Sequence, residues 1–143
     1  MATSKALGID DTSGFAFAKE MLGGDVTAAI NFDRIQKVSA TGEYIIFEYL
    51  LCEEHQWVNP YTSHPRRYWH KNSRKFLSLC EIASDLEATL YLVNYAKKGT
   101  KHEDKVLVME VVSATAEGIE TKDTELTREE FSQWFRNLNA QCL

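Results

Sequence analysis

The stretch NFDRIQKVSATGEYIIFEYLLC, residues 31–52, carries the clearest strand signal of the chain. Residues 43–52 are rich in β-branched and aromatic side chains, and they are apolar at both odd and even positions. This pattern is typical of a strand that is covered on both faces. Residues 31–38 are predicted to form its partner strand, because Ser39 to Gly42 have the composition of a turn. We therefore expect a hairpin within a sheet that has helices on both sides.

Further elements are predicted on either side of this hairpin. Gly23 and Gly24 would end a first helix, and residues 1–12 before it are interpreted as a loose leader. Gly118 marks a further turn. The predicted order, α-β-β-α-β-β-α, indicates an α/β (α+β) single domain over residues 1–143 with a mixed sheet flanked by helices. Besides the hairpin, it consists of helices over 13–22 and 72–87, strands over 89–96 and 105–112, and a last helix after Thr127.

The last helix has the strongest local signal. Thr127 and Glu130 form the sequence pattern of a capping box. An aromatic-rich face would either close the core or form the interface of a homodimer. This face follows helical spacing and contains Phe131, Trp134, Phe135 and Leu138.

Composition bounds the class of protein. With 143 residues, 44% hydrophobic and 26% charged, the chain is predicted to be globular. It contains no apolar run of bilayer length, and its start lacks the apolar region of a signal peptide. Its three cysteines are widely spaced, which favours reduced thiols. We therefore expect a cytoplasmic protein that does not bind membranes.

Residues 55–80 form a basic stretch in an acidic chain. This stretch contains no Asp or Glu and has a formal charge of +5, whereas the whole chain has −5. It is interleaved with aromatic side chains, which favours nucleic acid as the ligand. The alternative is a solvated loop and helix face that happen to be basic. The positive residues are Arg66, Arg67, Lys71, Arg74 and Lys75.

Two acidic residues of the hairpin, Asp33 and Glu48, are predicted to lie close together. If the turn centres on Ala40 and Thr41, the two acids are directly opposite each other. If it centres one residue later, they are diagonal neighbours on one face. A three-residue loop would instead place them on opposite faces of the hairpin. Glu48 has apolar neighbours on its own face, so its carboxylate needs a metal, a hydrogen-bond partner or a proton. The alternative to a Mg²⁺ site is an ion pair with a Lys or Arg of the basic helix.

The order of these elements resembles the PD-(D/E)XK, or restriction-endonuclease-like, superfamily. The resemblance rests on Asp33-Arg34-Ile35 in one strand, Glu48 within IIFEYL in the next, and the basic helix and LYLVNY that follow. It implies an Asp and a Glu that bind Mg²⁺, and a lysine that positions the attacking water. The chain departs from the pattern, because Leu50 stands at the position of the family lysine and Phe32 stands where the family has a proline.

The resemblance implies metal-assisted phosphodiester hydrolysis. Asp33 and Glu48 would hold the metal, and Lys71 or Lys75 would take the lysine's role. Basic residues would contact the nucleic-acid backbone, and aromatic residues would stack on its bases. These residues are Arg66, Arg67, Arg74, Tyr61, Tyr68 and Trp69, and for Trp69 burial at the edge of the core is the favoured alternative.

A non-enzymatic interaction protein is the second hypothesis. The absence of a lysine at position 50 favours binding over catalysis. Zinc is disfavoured, because the spacing of Cys52, His55, His64 and His70 matches no common zinc module.

Overall fold

The computed structural model describes residues 13–143. The chain divides into two compact units, Met1–Asn31 and Phe32–Leu143, which are described separately. The described part of the first unit contains helix α1, Ser13–Leu22, with the bounds that the sequence predicts. Gly23 and Gly24 follow it with positive φ angles of 59° and 96°, as expected for glycines that end a helix. The predicted leader, 1–12, lies outside the described residues, and the prediction of a single domain over 1–143 stays a prediction.

The second unit is described in full and contains a five-stranded sheet, two α-helices and a short 3₁₀ helix. The first strands form the predicted hairpin, and the long basic loop and the helices follow. The elements are β1 Arg34–Lys37, β2 Tyr44–Leu51, the 3₁₀ helix Pro65–Tyr68, α2 Trp69–Asp85, β3 Thr89–Tyr95, β4 Lys105–Thr115, β5 Gly118–Thr127 and α3 Arg128–Ala140.

The strands are arranged in the order β1-β2-β3-β4-β5. β2 and β3 are parallel and are connected through α2, whereas the other neighbouring strands are antiparallel. A mixed α+β fold is therefore confirmed. The finer prediction, a restriction-endonuclease-like arrangement, stays a prediction.

Both faces of the sheet are covered, as the apolar pattern of β2 predicts. Ile46 packs in the cluster beneath α2, and the next residue, Phe47, packs in the cluster beneath α3. This alternation follows from the period of two in a strand. The first cluster contains Trp69, Phe76, Leu79, Leu90, Leu92, Leu107 and Met109, and the second contains Val93, Val106 and Val108, with Phe131, Trp134 and Phe135 packed against it.

The structure corrects two predicted elements. Residues 118–127 form strand β5, where the sequence indicates a turn at Gly118 and no strand. β5 is an edge strand that buries few side chains, so GIETKDTELT lacks the apolar pattern of a strand. Helix α2 begins at Trp69, earlier than the predicted Asn72 or Ser73. The 3₁₀ helix Pro65–Tyr68 leads directly into α2. It starts with Pro65, because proline is favoured at a first helical position.

In residues 13–143, no helix combines the length and the apolar character that crossing a membrane requires.

Candidate functional site

The hairpin register places Asp33 opposite Glu48. Arg34 pairs with Phe47 and Ile35 with Ile46, so the turn centred on Ala40 and Thr41 is confirmed. Asp33 lies just before β1 and donates its backbone N–H to the carbonyl of Phe47 at 3.2 Å. Its carboxylate oxygen Oδ2 accepts the N–H of Tyr49 at 2.8 Å. The Asp33 carboxylate is therefore oriented by the neighbouring strand.

Glu48 is a buried carboxylate on the face that α2 covers. It is 5% exposed, and its neighbours Ile46 and Leu50 belong to the apolar surroundings of that face. The predicted apolar setting is thus confirmed. With both acids ionised, Oε2 of Glu48 has no hydrogen-bond partner. A proton on Glu48 would let it donate to Asp33, and a cation would serve the same oxygen.

Lys75 of α2 contacts this acid. Its Nζ lies 3.5 Å from Oε1 of Glu48, and its side chain is 51% exposed. The ion pair that the sequence analysis gave as the alternative to a metal is therefore present. Lys75 is also one of the two lysines to which the nuclease resemblance assigns the role of the family lysine.

The pKa of Glu48 is raised from 4.5 to about 7, and burial is the largest cause. The Asp33 carboxylate contributes to this rise, first through a hydrogen bond that the protonated acid makes to it and then through its negative charge, which disfavours ionisation. The Lys75 ammonium group acts in the opposite direction. Near neutral pH the site can therefore hold or release a proton.

The other basic residues of α2 lie near Lys75 in the helix. Lys71 is one turn before Lys75, so the two side chains share a face. Lys71 and Arg74 are both exposed. They are placed to extend a positive surface from Lys75 along the N-terminal half of α2.

Arg66 and Arg67 belong to the 3₁₀ helix and make contacts within the chain. Nη2 of Arg66 lies 3.3 Å from Oδ2 of Asp123 in β5. Nη1 of Arg67 donates to the carbonyl of Thr62 at 2.9 Å. Both side chains remain exposed, so these contacts orient them without burying them.

The predicted base-stacking residues are mostly committed to packing. Trp69 is 2% exposed, stacks on Phe76 and donates its indole N–H to the carbonyl of Thr115 at 2.9 Å. Its assignment to nucleic-acid binding is therefore corrected, because no face of its ring is open. Tyr68 packs against the same cluster, and burial raises its pKa to about 12. The hydroxyl of Tyr61 donates to the carbonyl of Leu126 at 2.8 Å.

His64 forms a network that the sequence does not indicate. Its Nδ1 accepts the N–H of Arg66, so its Nε2 carries the proton and donates to Thr121 Oγ1 at 2.7 Å. Thr121 in turn contacts Asp123. Burial lowers the pKa of His64, which favours the neutral ring. The network ties the 3₁₀ helix to β5.

The donor set fits a hard divalent cation that keeps most of its water. Two carboxylates face each other, and one buried oxygen lacks a partner. Mg²⁺ is often held by one or two carboxylates together with water and phosphate oxygens. Within residues 13–143, no group of three or more His, Cys, Asp or Glu is arranged to hold a metal ion, so a cation at this site would have two carboxylates as its protein ligands.

The predicted binding residues do not include Trp57. This residue lies inside the basic stretch, between Gln56 and Val58, and it is 102% exposed. A tryptophan in a long loop of that charge, outside any periodic apolar pattern, is the signal that would have identified it.

Comparison with protein-family models, with curated proteins and with solved structures finds no match to this chain.

Proposed function

We propose that this chain is a nucleic-acid-binding protein that hydrolyses phosphodiester bonds with the help of a divalent metal. The observation that carries the proposal is the buried Glu48 carboxylate, which faces Asp33, contacts Lys75 and leaves Oε2 without a partner. A buried acid of this kind costs free energy unless it binds a cation or a proton. Strongly shifted pKa values also cluster at functional sites.

Each residue has a defined role in this proposal. Asp33 and Glu48 would hold Mg²⁺, which supplies charge neutralisation and an activated water. The N–H of Tyr49 keeps Asp33 in position. Lys75 holds its ammonium group at the edge of the site, where it can donate to a phosphate oxygen or to water. Lys71, one turn away, would attract the nucleic-acid backbone.

Lys75 can also supply the positive charge that is missing at position 50, where the nuclease family has a lysine and this chain has Leu50. Leu50 packs with the apolar cluster beneath α2 and supplies no charge. Because Lys75 approaches Glu48 from α2, the chain has an ammonium group beside the acid pair despite Leu50. This ammonium group, 3.5 Å from Oε1 of Glu48, supports catalysis.

The second candidate function is binding without cleavage. The Lys75–Glu48 ion pair favours it, since an ammonium group already neutralises one oxygen of the acid. In that case the basic surface of α2 would bind nucleic acid, and the acid pair would only position Lys75.

A digestion assay on supercoiled plasmid and single-stranded DNA, with Mg²⁺ or Mn²⁺ at pH 8, tests the proposal. We expect Glu48→Gln and Asp33→Asn to lose at least ~100-fold in rate, since even outer-shell changes at metal sites cost ~10–100-fold. Glu117→Gln, at an exposed position in the β4–β5 turn, is the matched control and should cut like the wild type.

A second readout separates metal binding from catalysis. Mg²⁺ should raise the melting temperature of the wild type and of Glu117→Gln, but not of Glu48→Gln. Equal cutting by Glu48→Gln and the wild type would exclude this site. If the wild type binds DNA but neither cuts it nor responds to Mg²⁺, binding without cleavage is the correct function.

A further inference from the structure

An open groove lies beyond the carboxyl ends of the parallel strands β2 and β3. The loop after β2 and the loop after β3 form its walls, and its volume is about 770 Å³. Ligands of open α/β sheets commonly bind in the crevice at this end of the strands. Sites for small molecules or nucleotides typically have volumes of ~300–1,000 Å³. The residues used below are Glu54, Trp57, Thr62, Arg67, Lys101 and His102.

The walls of the groove are held by hydrogen bonds. Oε1 of Glu54 accepts the backbone N–H of Lys101 at 2.9 Å, which ties one loop to the other. Buried Asn94 of β3 donates to the carbonyls of Pro60 and Ser63, at 3.1 and 2.9 Å. Ligand binding therefore requires little ordering of the backbone, which lowers its entropic cost.

Trp57 differs from these fixed walls, because its whole side chain is exposed. Its exposed fraction is 102%, whereas Trp69 is 2% exposed and Trp134 packs against the sheet. An indole in water leaves a large apolar surface and a flat π-face unused. Such side chains bind bases by stacking in proteins that recognise single strands.

The charged groups of the groove are mainly positive. Arg67 of the 3₁₀ helix and Lys101 of the loop after β3 both line it, together with His102. The hydrogen bond to Thr62 keeps the Arg67 guanidinium on the wall. The negative group, Glu54, already accepts the N–H of Lys101. The groove thus offers an anionic strand two cations beside one aromatic ring.

We propose that this groove binds single-stranded nucleic acid, with an unpaired base stacked on Trp57 and phosphates beside Arg67 and Lys101. A duplex keeps its base faces stacked inside, so only an unpaired base can offer a face to the indole. The inference rests on the proposed function for its choice of nucleic acid as the ligand. It adds that the bound nucleic acid is single-stranded. It involves neither Asp33 nor Glu48.

Fluorescence tests this assignment in the whole chain, in EDTA so that no cutting occurs. A 12-residue oligothymidylate should quench the fluorescence of Trp57 and protect it from acrylamide, and a duplex of equal length should do so less.

Anisotropy with a labelled oligonucleotide measures the affinity of the variants. Trp57→Ala should bind about 5- to 150-fold more weakly than the wild type, which is the contribution of one stacked base. Trp57→Phe should recover part of the affinity. Lys101→Ala should weaken binding, and Lys122→Ala, an exposed lysine of β5, should not.

Equal binding of the oligonucleotide by Trp57→Ala and the wild type would overturn the inference. So would a duplex that protects Trp57 from acrylamide as well as the single strand does. Protection of Trp57 by a poly-glutamate peptide and not by the oligonucleotide would assign the groove to an acidic protein segment instead.

The Glu48→Gln variant distinguishes failure of this inference from failure of the proposed function. Oligothymidylate should quench the Trp57 fluorescence of this variant as it does in the wild type. The variant should nevertheless lose metal-dependent cutting. If only the groove assignment is wrong, metal-dependent cutting persists and Trp57→Ala binds normally. If only the hydrolysis is wrong, Trp57 is quenched and no variant or wild-type protein cuts.

Discussion

Glu48 couples the stability of the fold to pH. Its raised pKa, about 7, means that the folded chain holds a proton which the unfolded chain has already released above pH 4.5. Folding stability from this group is therefore fully present below pH 4.5 and is lost as the pH rises toward 7. His64 acts in the opposite direction, because its lowered pKa removes stability as the pH falls. Comparison with a Glu48 variant isolates the contribution of Glu48.

We expect Glu48→Gln to be less sensitive to a rise in pH than the wild type. Between pH 5 and pH 8, the wild type should lose about 1–3 kcal/mol of unfolding free energy relative to the variant. Urea denaturation at both pH values measures this difference. Glu117→Gln should follow the wild type. A Glu48→Gln profile parallel to that of the wild type would show that Glu48 is not a buried, proton-holding acid.

At the scale of elements, helix α3 begins where its local sequence predicts. The predicted capping box is confirmed, since Thr127 Oγ1 accepts the N–H of Glu130 at 3.1 Å and Glu130 Oε1 accepts the N–H of Thr127 at 2.8 Å. The aromatic face of the helix packs on the sheet, which is the alternative to a dimer interface. A homodimer stays a prediction.

Removal of this cap should destabilise the chain without affecting the site. Thr127→Ala leaves the first turn of α3 without a side-chain acceptor, at a cost of ~0.5–2 kcal/mol. Thermal melting should show a fall of a few degrees. Gln133→Ala, at an exposed position of the same helix, should stay within ~0.5 kcal/mol of the wild type. Equal losses in the two variants would contradict the role of the cap.

At the scale of the whole molecule, charge is separated along the chain. The basic stretch 55–80 carries +5 within a total of −5, so the remainder carries −10. Like-charge repulsion from this acidic remainder would confine a polyanion to the basic region. Within that region, Lys71 and Arg74 of α2 are exposed, whereas Arg66 pairs with Asp123.

Nucleic-acid binding through α2 should depend on salt. For a duplex, loss of one phosphate contact in Lys71→Ala should reduce the slope of log K against log salt by about 0.9. Anisotropy titrations at several salt concentrations measure this slope. Lys122→Ala should keep the slope of the wild type. A Lys71→Ala slope equal to that of the wild type would remove Lys71 from the proposed surface.

Local sequence determined the strands of the hairpin, the covering of β2 on both faces and the capped helix α3. It left three registers open for Asp33 and Glu48, two of which bring the acids together, and the structure has the directly opposed one. These features depend on side-chain periodicity and on hydrogen bonds between near neighbours, both of which short patterns of residues encode.

The tertiary structure alone decided which distant residues meet. It brought Lys75 to Glu48, placed Trp69 in the core, paired Arg66 with Asp123 and left Trp57 exposed in the groove. It also showed β5, whose polar sequence pairs with β4 through the backbone. The physical reason is that these contacts depend on how α2 and the long loop pack on the sheet, and no local pattern of residues encodes that packing.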